Sequence, residues 1–357
     1  MFSIPQSESL STKKLGQVFN NTTATYKFYW FQSLLQMHIE EGINKISVWD
    51  IVIRMVANAW YPVHYFRLSF GSQDSLNKII TDLQWLTRLP MDAKSEDIIT
   101  CLKENLDKKE IKNLLSILTK NVPYRFLSPW INTSNDKQLI ERSHTLENGC
   151  LYSISKSKDD FSIIMNPAWD EYLSSYYGIL KDFLSWNLTL FLQARNPNVP
   201  NIPNKLTRPQ ERTSLSKQRK FWKEVIIKGG DVHCIYTNRK LNVGSFAVDH
   251  FIPWSFVAHD QLWNLIPSDN CINSSKSDKL PALDKYLVKL AEEHRNAIRI
   301  YLKTGGSPDA LEDFSALGYN PQDLINMNRE RFISTYQQTF NPLFQIAQNM
   351  GYEVWSL

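Results

Sequence analysis

Cysteine is scarce: the chain has four in 357 residues, Cys101, Cys150, Cys234 and Cys271, and they are dispersed. Too few to frame a disulfide-stapled fold, they fit a reducing, cytoplasmic setting. Long apolar runs are missing too. No stretch approaches the roughly 18 apolar residues of a membrane-spanning helix, which excludes that class. The opening Met1-Phe2-Ser3-Ile4-Pro5-Gln6-Ser7-Glu8 lacks a basic start followed by an apolar stretch, so no signal peptide is expected. Internal repeats and low-complexity tracts are absent, which excludes solenoids and arrays. Strong net charge is lacking as well, at +4, but the charge is uneven. Residues 201–310 hold 17 Lys/Arg against 11 Asp/Glu, so the basic excess gathers in one region and favours a polyanionic partner there.

What is present divides the chain. Tyr26, Trp30, Leu34 and Met37 recur at helical spacing within 22–42, and the aromatic block Tyr26, Phe28, Tyr29, Trp30, Phe31 is expected in a core or a protein interface rather than stacked on bases. A second helix from Ile46 to Trp60 is expected to stop before Pro62. Amphipathic segments follow at 73–87, 95–105 and 108–121. Residues 122–130 read as a connector because Pro123 and Pro129 exclude regular helix. A small hairpin is predicted at 149–165 and a long aromatic-rich helix at 168–194. Residues 1–195 thus form a mainly helical accessory domain suited to recognition, sensing or partner docking. Pro197, Pro200 and Pro203, interleaved with asparagines, predict a semi-rigid linker over 196–210.

The second domain, 211–357, begins with a basic helix at 211–228, capped by Gly229-Gly230. Residues 205–228 hold eight Lys/Arg against two Glu, and Lys217, Arg219 and Lys220 are the expected phosphate-backbone contacts. Helices at 282–303 and 322–349 close the chain. The fold class is α+β, mostly α-helical.

Between these helices the polar residues fall in the order a catalytic site needs. Asp249-His250 ends the apolar run Phe246, Ala247, Val248; Pro253-Trp254 follows, then Asn264-Leu265 fourteen residues after the histidine, then Asn273-x-x-Lys276 and Leu280-Pro281. Cutting a phosphodiester needs a base for water and a cation for the phosphate charge. His250 is the natural base, because imidazole titrates near neutrality. Asp249 offers a hard oxygen to a divalent ion such as Mg²⁺, and Asn273 a second oxygen from the following helix. Neighbours on a strand point to opposite faces, so a bulge or strand end is expected at Asp249-His250. Asn264 is expected to hold the imidazole in the right tautomer by accepting its other N–H, either directly or through a backbone contact of the loop. Lys276, one turn after Asn273, is expected to meet a phosphate. Singly, these are ordinary turn, cap and surface residues; their joint spacing carries the chemistry.

This order resembles the HNH endonucleases, whose core is a β-hairpin and helix around one metal ion, the ββα-metal finger. The match runs over about residues 230–282, in a helical C-terminal domain. The resemblance implies a DNA-cleaving, metal-dependent endonuclease with His250 as general base, Asp249 and Asn273 as ligands of Mg²⁺ (or Mn²⁺), and Asn264 as the central asparagine that holds the loop and orients the histidine. It implies double-stranded DNA as partner and no membrane. Many members add a structural zinc on two Cys-x-x-Cys pairs. Here Thr237 stands where the partner of Cys234 would be, the second pair falls on Asp269 and Ile272, and Cys271 is one residue out of register. A structural zinc is therefore not expected, and the finger must lean on apolar packing and flanking helices. Two other functions fit the same residues. One is a nuclease effector of a multi-protein bacterial anti-phage defence or restriction system, silent until a partner docks on the first domain. The other is a non-catalytic DNA-binding module with a degenerate finger.

Overall fold

The computed structural model describes residues 4–208, 214–229 and 231–357. The chain is mostly helical with a few short strands. It divides into two compact units, Met1–Pro197 with Ile202–Arg208, and Asn198–Asn201 with Pro209–Leu357.

In the first unit, α1 (Tyr26–Leu35) is apolar nearly all round and is buried accordingly. Phe28, Tyr29, Trp30 and Phe31 have at most 1% exposure, so these four rings are core. It packs on α2 (Val48–His64). Contrary to the expected stop before Pro62, α2 runs through that proline. The missing N–H costs one bond within a turn of the end, where Tyr65 N–H still closes on Tyr61 O at 2.9 Å. Three strands, β1 (Lys45–Ser47), β2 (Tyr152–Lys156) and β3 (Phe161–Met165), form an antiparallel sheet in the order β1-β3-β2. The hairpin was legible from its alternation, whereas β1, only three residues long, was not. Helices α3 (Leu76–Thr87), α4 (Ser95–Glu104) and α5 (Lys109–Thr119) surround α2. Val122–Arg125 is a one-turn helix, not the irregular connector expected, because Pro123 stands in its first turn, where no N–H is needed. Trp30 Nε1–H donates to Tyr152 Oη at 3.1 Å, and Tyr152 donates to Pro123 O at 2.7 Å, joining helix, sheet and turn. The expected helix 168–194 is broken at Tyr176, and its long part is α6 (Tyr177–Gln193).

In the second unit, α7 (Ser216–Gly229) buries Phe221, Trp222, Val225 and Ile226 against α9 (Leu283–Lys303). The expected helix start at 211 and Gly230 of its cap lie outside the described residues. Strands β4 (Ala247–His250) and β5 (Leu265–Ser268) form an antiparallel pair, followed by α8 (Asn270–Lys276). Then come β6 (Leu280–Pro281), α10 (Arg329–Asn349) and β7 (Val354–Trp355). The last helix expected at 322–349 is split, because Pro321–Asn326 forms a separate turn before α10. Unforeseen from the sequence, β7 pairs in parallel with β6, with Leu280 N–H on Glu353 O and Ala282 N–H on Trp355 O, both at 2.9 Å.

His294 of α9 lies at the centre of this unit, 0% exposed and stacked on Trp222. Its Nε2 bonds Leu265 O of β5 at 3.0 Å and its Nδ1 bonds Tyr336 Oη at 2.8 Å. A neutral imidazole satisfies both, donating to the carbonyl and accepting from the phenol. Burial pushes its pKa down from 6.5 to about 4. The unfolded chain therefore binds the proton first, so stability is full above the unfolded pKa and falls as pH drops from 6.5 towards 4. The loss expected from this group is about 3 kcal/mol. Urea unfolding at pH 7 and pH 4.5 of wild type and His294→Gln checks it: the wild type should lose more stability on acidification than the variant.

Candidate active site

Regular pairing of β4 and β5 places Asp249 opposite Ile266 and His250 opposite Leu265, without a bulge. Of the two geometries expected, the strand end is the one found, since β4 stops at His250. Alternation along the strand sends the two side chains apart. Asp249 turns inward, at 3% exposure, and the imidazole of His250 stays half-buried at the strand end.

The chain between the strands is closed by Asn264, which is 0% exposed. Its Oδ1 accepts from Ile252 N–H and its Nδ2 donates to Ile252 O, both at 2.9 Å, while its main-chain O accepts from Phe251 N–H at 2.8 Å. Both ends of the amide are engaged in this clamp. Asn264 therefore holds the loop, and it is not the hydrogen-bond partner of the imidazole. That partner is Asp260, carried by the clamped loop, with His250 Nε2 and Asp260 Oδ1 2.9 Å apart at 14% and 17% side-chain exposure. Gln218 of α7 donates to Asp260 O at 2.8 Å and fixes the loop from the other side. Phe251 and Trp263 pack edge-on against Phe340 of α10, so the hairpin leans on a flanking helix.

On the inner face, Tyr236 Oη donates to Asp249 Oδ2 at 2.6 Å, and Lys276 Nζ donates to Asp249 Oδ1 at 3.0 Å and to His250 O at 2.7 Å. All three side chains are buried. Burial first, and the Asp249 charge second, push the Tyr236 phenol well above its ordinary pKa, so it keeps its proton and donates. Lys276 was expected to face a phosphate. It is 0% exposed, and its charge is matched internally by Asp249. Asn273, a turn earlier on α8, is half-buried, and among the described residues its side chain has no hydrogen bond. Asp269 caps α8 by accepting from Cys271 N–H at 2.9 Å. Cys234 is buried and Cys271 exposed.

Lys217, Arg219 and Lys220 are exposed on α7. Arg219 is partly tied down, donating to Phe246 O at 2.8 Å with its guanidinium over the Phe246 ring. Lys217 and Lys220 have no acidic partner among the described residues.

A strand-end Asp-His pair, a loop-clamping asparagine and a following helix with Asn-x-x-Lys thus occupy one contiguous segment. Residues 234–282 match the family model of the HNH endonucleases. No curated protein and no solved structure matches the chain. The HNH segment implies a nucleic acid as substrate, and among the described residues no helix is long and apolar enough to cross a membrane.

HNH nucleases generally use a divalent ion, with Asp249 and Asn273 as the expected ligands here. The arrangement found does not fit one. Both carboxylate oxygens of Asp249 already accept from buried donors, and the ammonium on Oδ1 would repel a second cation at that distance. Among the described residues no cluster of three or more His, Cys, Asp or Glu side chains is placed to hold a metal.

Asp260 and Tyr236 are the site residues that sequence reasoning missed. Neither belongs to a spaced motif. The only hint for Asp260 was a carboxylate within the loop that Asn264 closes.

Proposed function

We propose that this chain is an endonuclease that hydrolyses DNA phosphodiester bonds, with His250 as the general base. The observation that carries this is the His250–Asp260 pair inside the HNH segment. A carboxylate that accepts Nε2–H selects the tautomer whose Nδ1 is a free acceptor. Nδ1 can then take a proton from water as the water oxygen attacks phosphorus and the bond to the leaving sugar oxygen breaks, that oxygen taking a proton from solvent while Asp260 stabilises the imidazolium. Asn264 acts at one remove, by holding the loop that carries Asp260. The exposed Lys217 and Lys220, with Arg219, suit the phosphate backbone, a contact that carries no sequence preference. Double-stranded DNA is the expected substrate.

Use of a divalent ion, Mg²⁺ or Mn²⁺, at Asp249 and Asn273 requires the Asp249–Lys276 pair to open first. That pair favours a second reading, a nuclease that rests until a partner or signal opens it, as an effector of a multi-protein defence or restriction system would. Phe28, Tyr29, Trp30 and Phe31 of α1 are buried, so these rings do not supply a docking face for such a partner.

Supercoiled plasmid incubated with the full chain in Mg²⁺, Mn²⁺ or EDTA tests the activity. Nicked or linear product from the wild type and none from His250→Ala is the expected result, and loss of that product in EDTA would show that the Asp249–Lys276 pair opens to admit a cation. Cutting only after Lys276→Gln would select the resting form. Tight plasmid binding without any cleavage, by wild type and Lys276→Gln alike, would leave only a DNA-binding module and sink the proposal.

A further inference from the structure

The first unit carries a pocket that the nuclease chemistry does not use. It is about 580 Å³ in volume and lies between the start of α1, the turn before α3 and the end of α5 with the one-turn helix after it. That volume falls within the range of small-molecule sites, roughly 300–1,000 Å³.

Its wall has a single sign of charge. Lys27, Lys120 and Arg125 line it, together with hydroxyl and amide side chains, and no aspartate or glutamate does. The carboxylates closest in sequence to the lining residues do not line it and are already engaged. Asp74 is buried and accepts from Thr25 N–H at 2.6 Å, Thr25 Oγ1 at 2.7 Å and Leu76 N–H at 2.8 Å. Asp136, which is not among the lining residues, pairs with Arg125, 3.5 Å from Nη2.

Lys27 is the most telling of the three. It is half-buried, and among the described residues its ammonium donates to two main-chain carbonyls and to no carboxylate, Val18 O at 3.0 Å and Asn21 O at 3.3 Å. Burial alone lowers its pKa, with no carboxylate to offset that cost. An ammonium has three donors, so a third remains for an anion. Lys120 is exposed at the rim and has no acidic partner among the described residues. Beside these cations stand Tyr26, Ile117 and Val122, an apolar wall next to a basic one.

We propose that this pocket binds a phosphate-bearing small molecule of nucleotide size. The phosphates meet Lys27, Lys120 and Arg125, through the charge-assisted bonds that cationic side chains give phosphate. The heterocycle lies against Tyr26 and Val122. A concave site of this size favours a small ligand over a nucleic-acid backbone, which tracks along open basic grooves.

Calorimetric titration of the full chain with ATP, GTP, tripolyphosphate, adenosine and a short DNA duplex tests the site. ATP or GTP should bind, adenosine should not, and Lys120→Glu should weaken nucleotide binding by about tenfold or more. Lys120 is exposed and outside the HNH segment, so this variant should keep the melting temperature and plasmid cleavage of the wild type. Tripolyphosphate binding as tightly as the nucleotides would keep the phosphate site and make the inorganic anion its ligand. Three results overturn the proposal: no heat from any phosphate-bearing probe at millimolar concentration, affinity unchanged in both Lys120→Glu and Arg125→Glu, or loss of duplex rather than nucleotide binding in those variants.

Discussion

Replacing His250 by alanine is expected to lower phosphodiester cleavage by about 10²–10⁴-fold, the usual contribution of a positioned general base. The side chain lies at the end of β4 and is not part of the core, so folding should survive; among the described residues its one hydrogen-bond partner is Asp260, at 2.9 Å. Asp260→Asn separates the two roles. The amide keeps the size of the side chain but no longer matches an imidazolium with a full negative charge. A fall in kcat of about 10²-fold or more with KM little changed is expected. Asp260→Glu should restore part of the rate if the carboxylate reaches Nε2. Steady-state kinetics on a labelled duplex give both constants. An Asp260→Asn enzyme with unchanged kcat would show that the histidine needs no holder, and unchanged cleavage by His250→Ala would remove the base assignment.

The second large effect is on stability. Lys276→Met leaves Asp249 buried with its charge uncompensated, since Tyr236 alone remains as donor. Breaking a buried pair by removing one partner costs about 3–5 kcal/mol. Lys276→Met combined with Asp249→Asn removes both charges, and most of that loss should return, giving a coupling energy of opposite sign to the single effects. Urea unfolding of the four proteins measures it. A single variant that costs less than about 1 kcal/mol would mean that water or another donor reaches Asp249. The same set reports on the cation. If Lys276 holds the place a divalent ion would need, Lys276→Met should bind Mn²⁺ more tightly than wild type, and the double variant should not.

Much of the helical frame was legible because its apolar residues recur at helical spacing, as at Leu287, Leu290, His294 and Ile298 of α9, three of which are fully buried and Leu287 nearly so. The misses have local causes. Pro62 and Pro123 were read as helix breakers, yet Pro123 stands in a first turn, where no N–H is needed, and Pro62 lies two residues from a helix end, where a single lost bond is all it costs. The two-residue strands β6 and β7 have no period to detect, and their pairing joins residues more than seventy apart.

The site divides in the same way. Sequence by itself determined the order Asp249, His250, Asn264, Asn273, Lys276 and the apolar stretches that make a strand pair and a helix of that segment. Those are properties of spacing, which the chain carries before it folds. Only the tertiary structure decided what each group touches. It gave Asp260 to His250, closed Asn264 on Ile252, and turned Lys276 inward onto Asp249 beside Tyr236. The physical reason is burial. A charge taken from water must find an opposite charge or a donor within about 3 Å, and which one it finds depends on the fold that brings distant residues together.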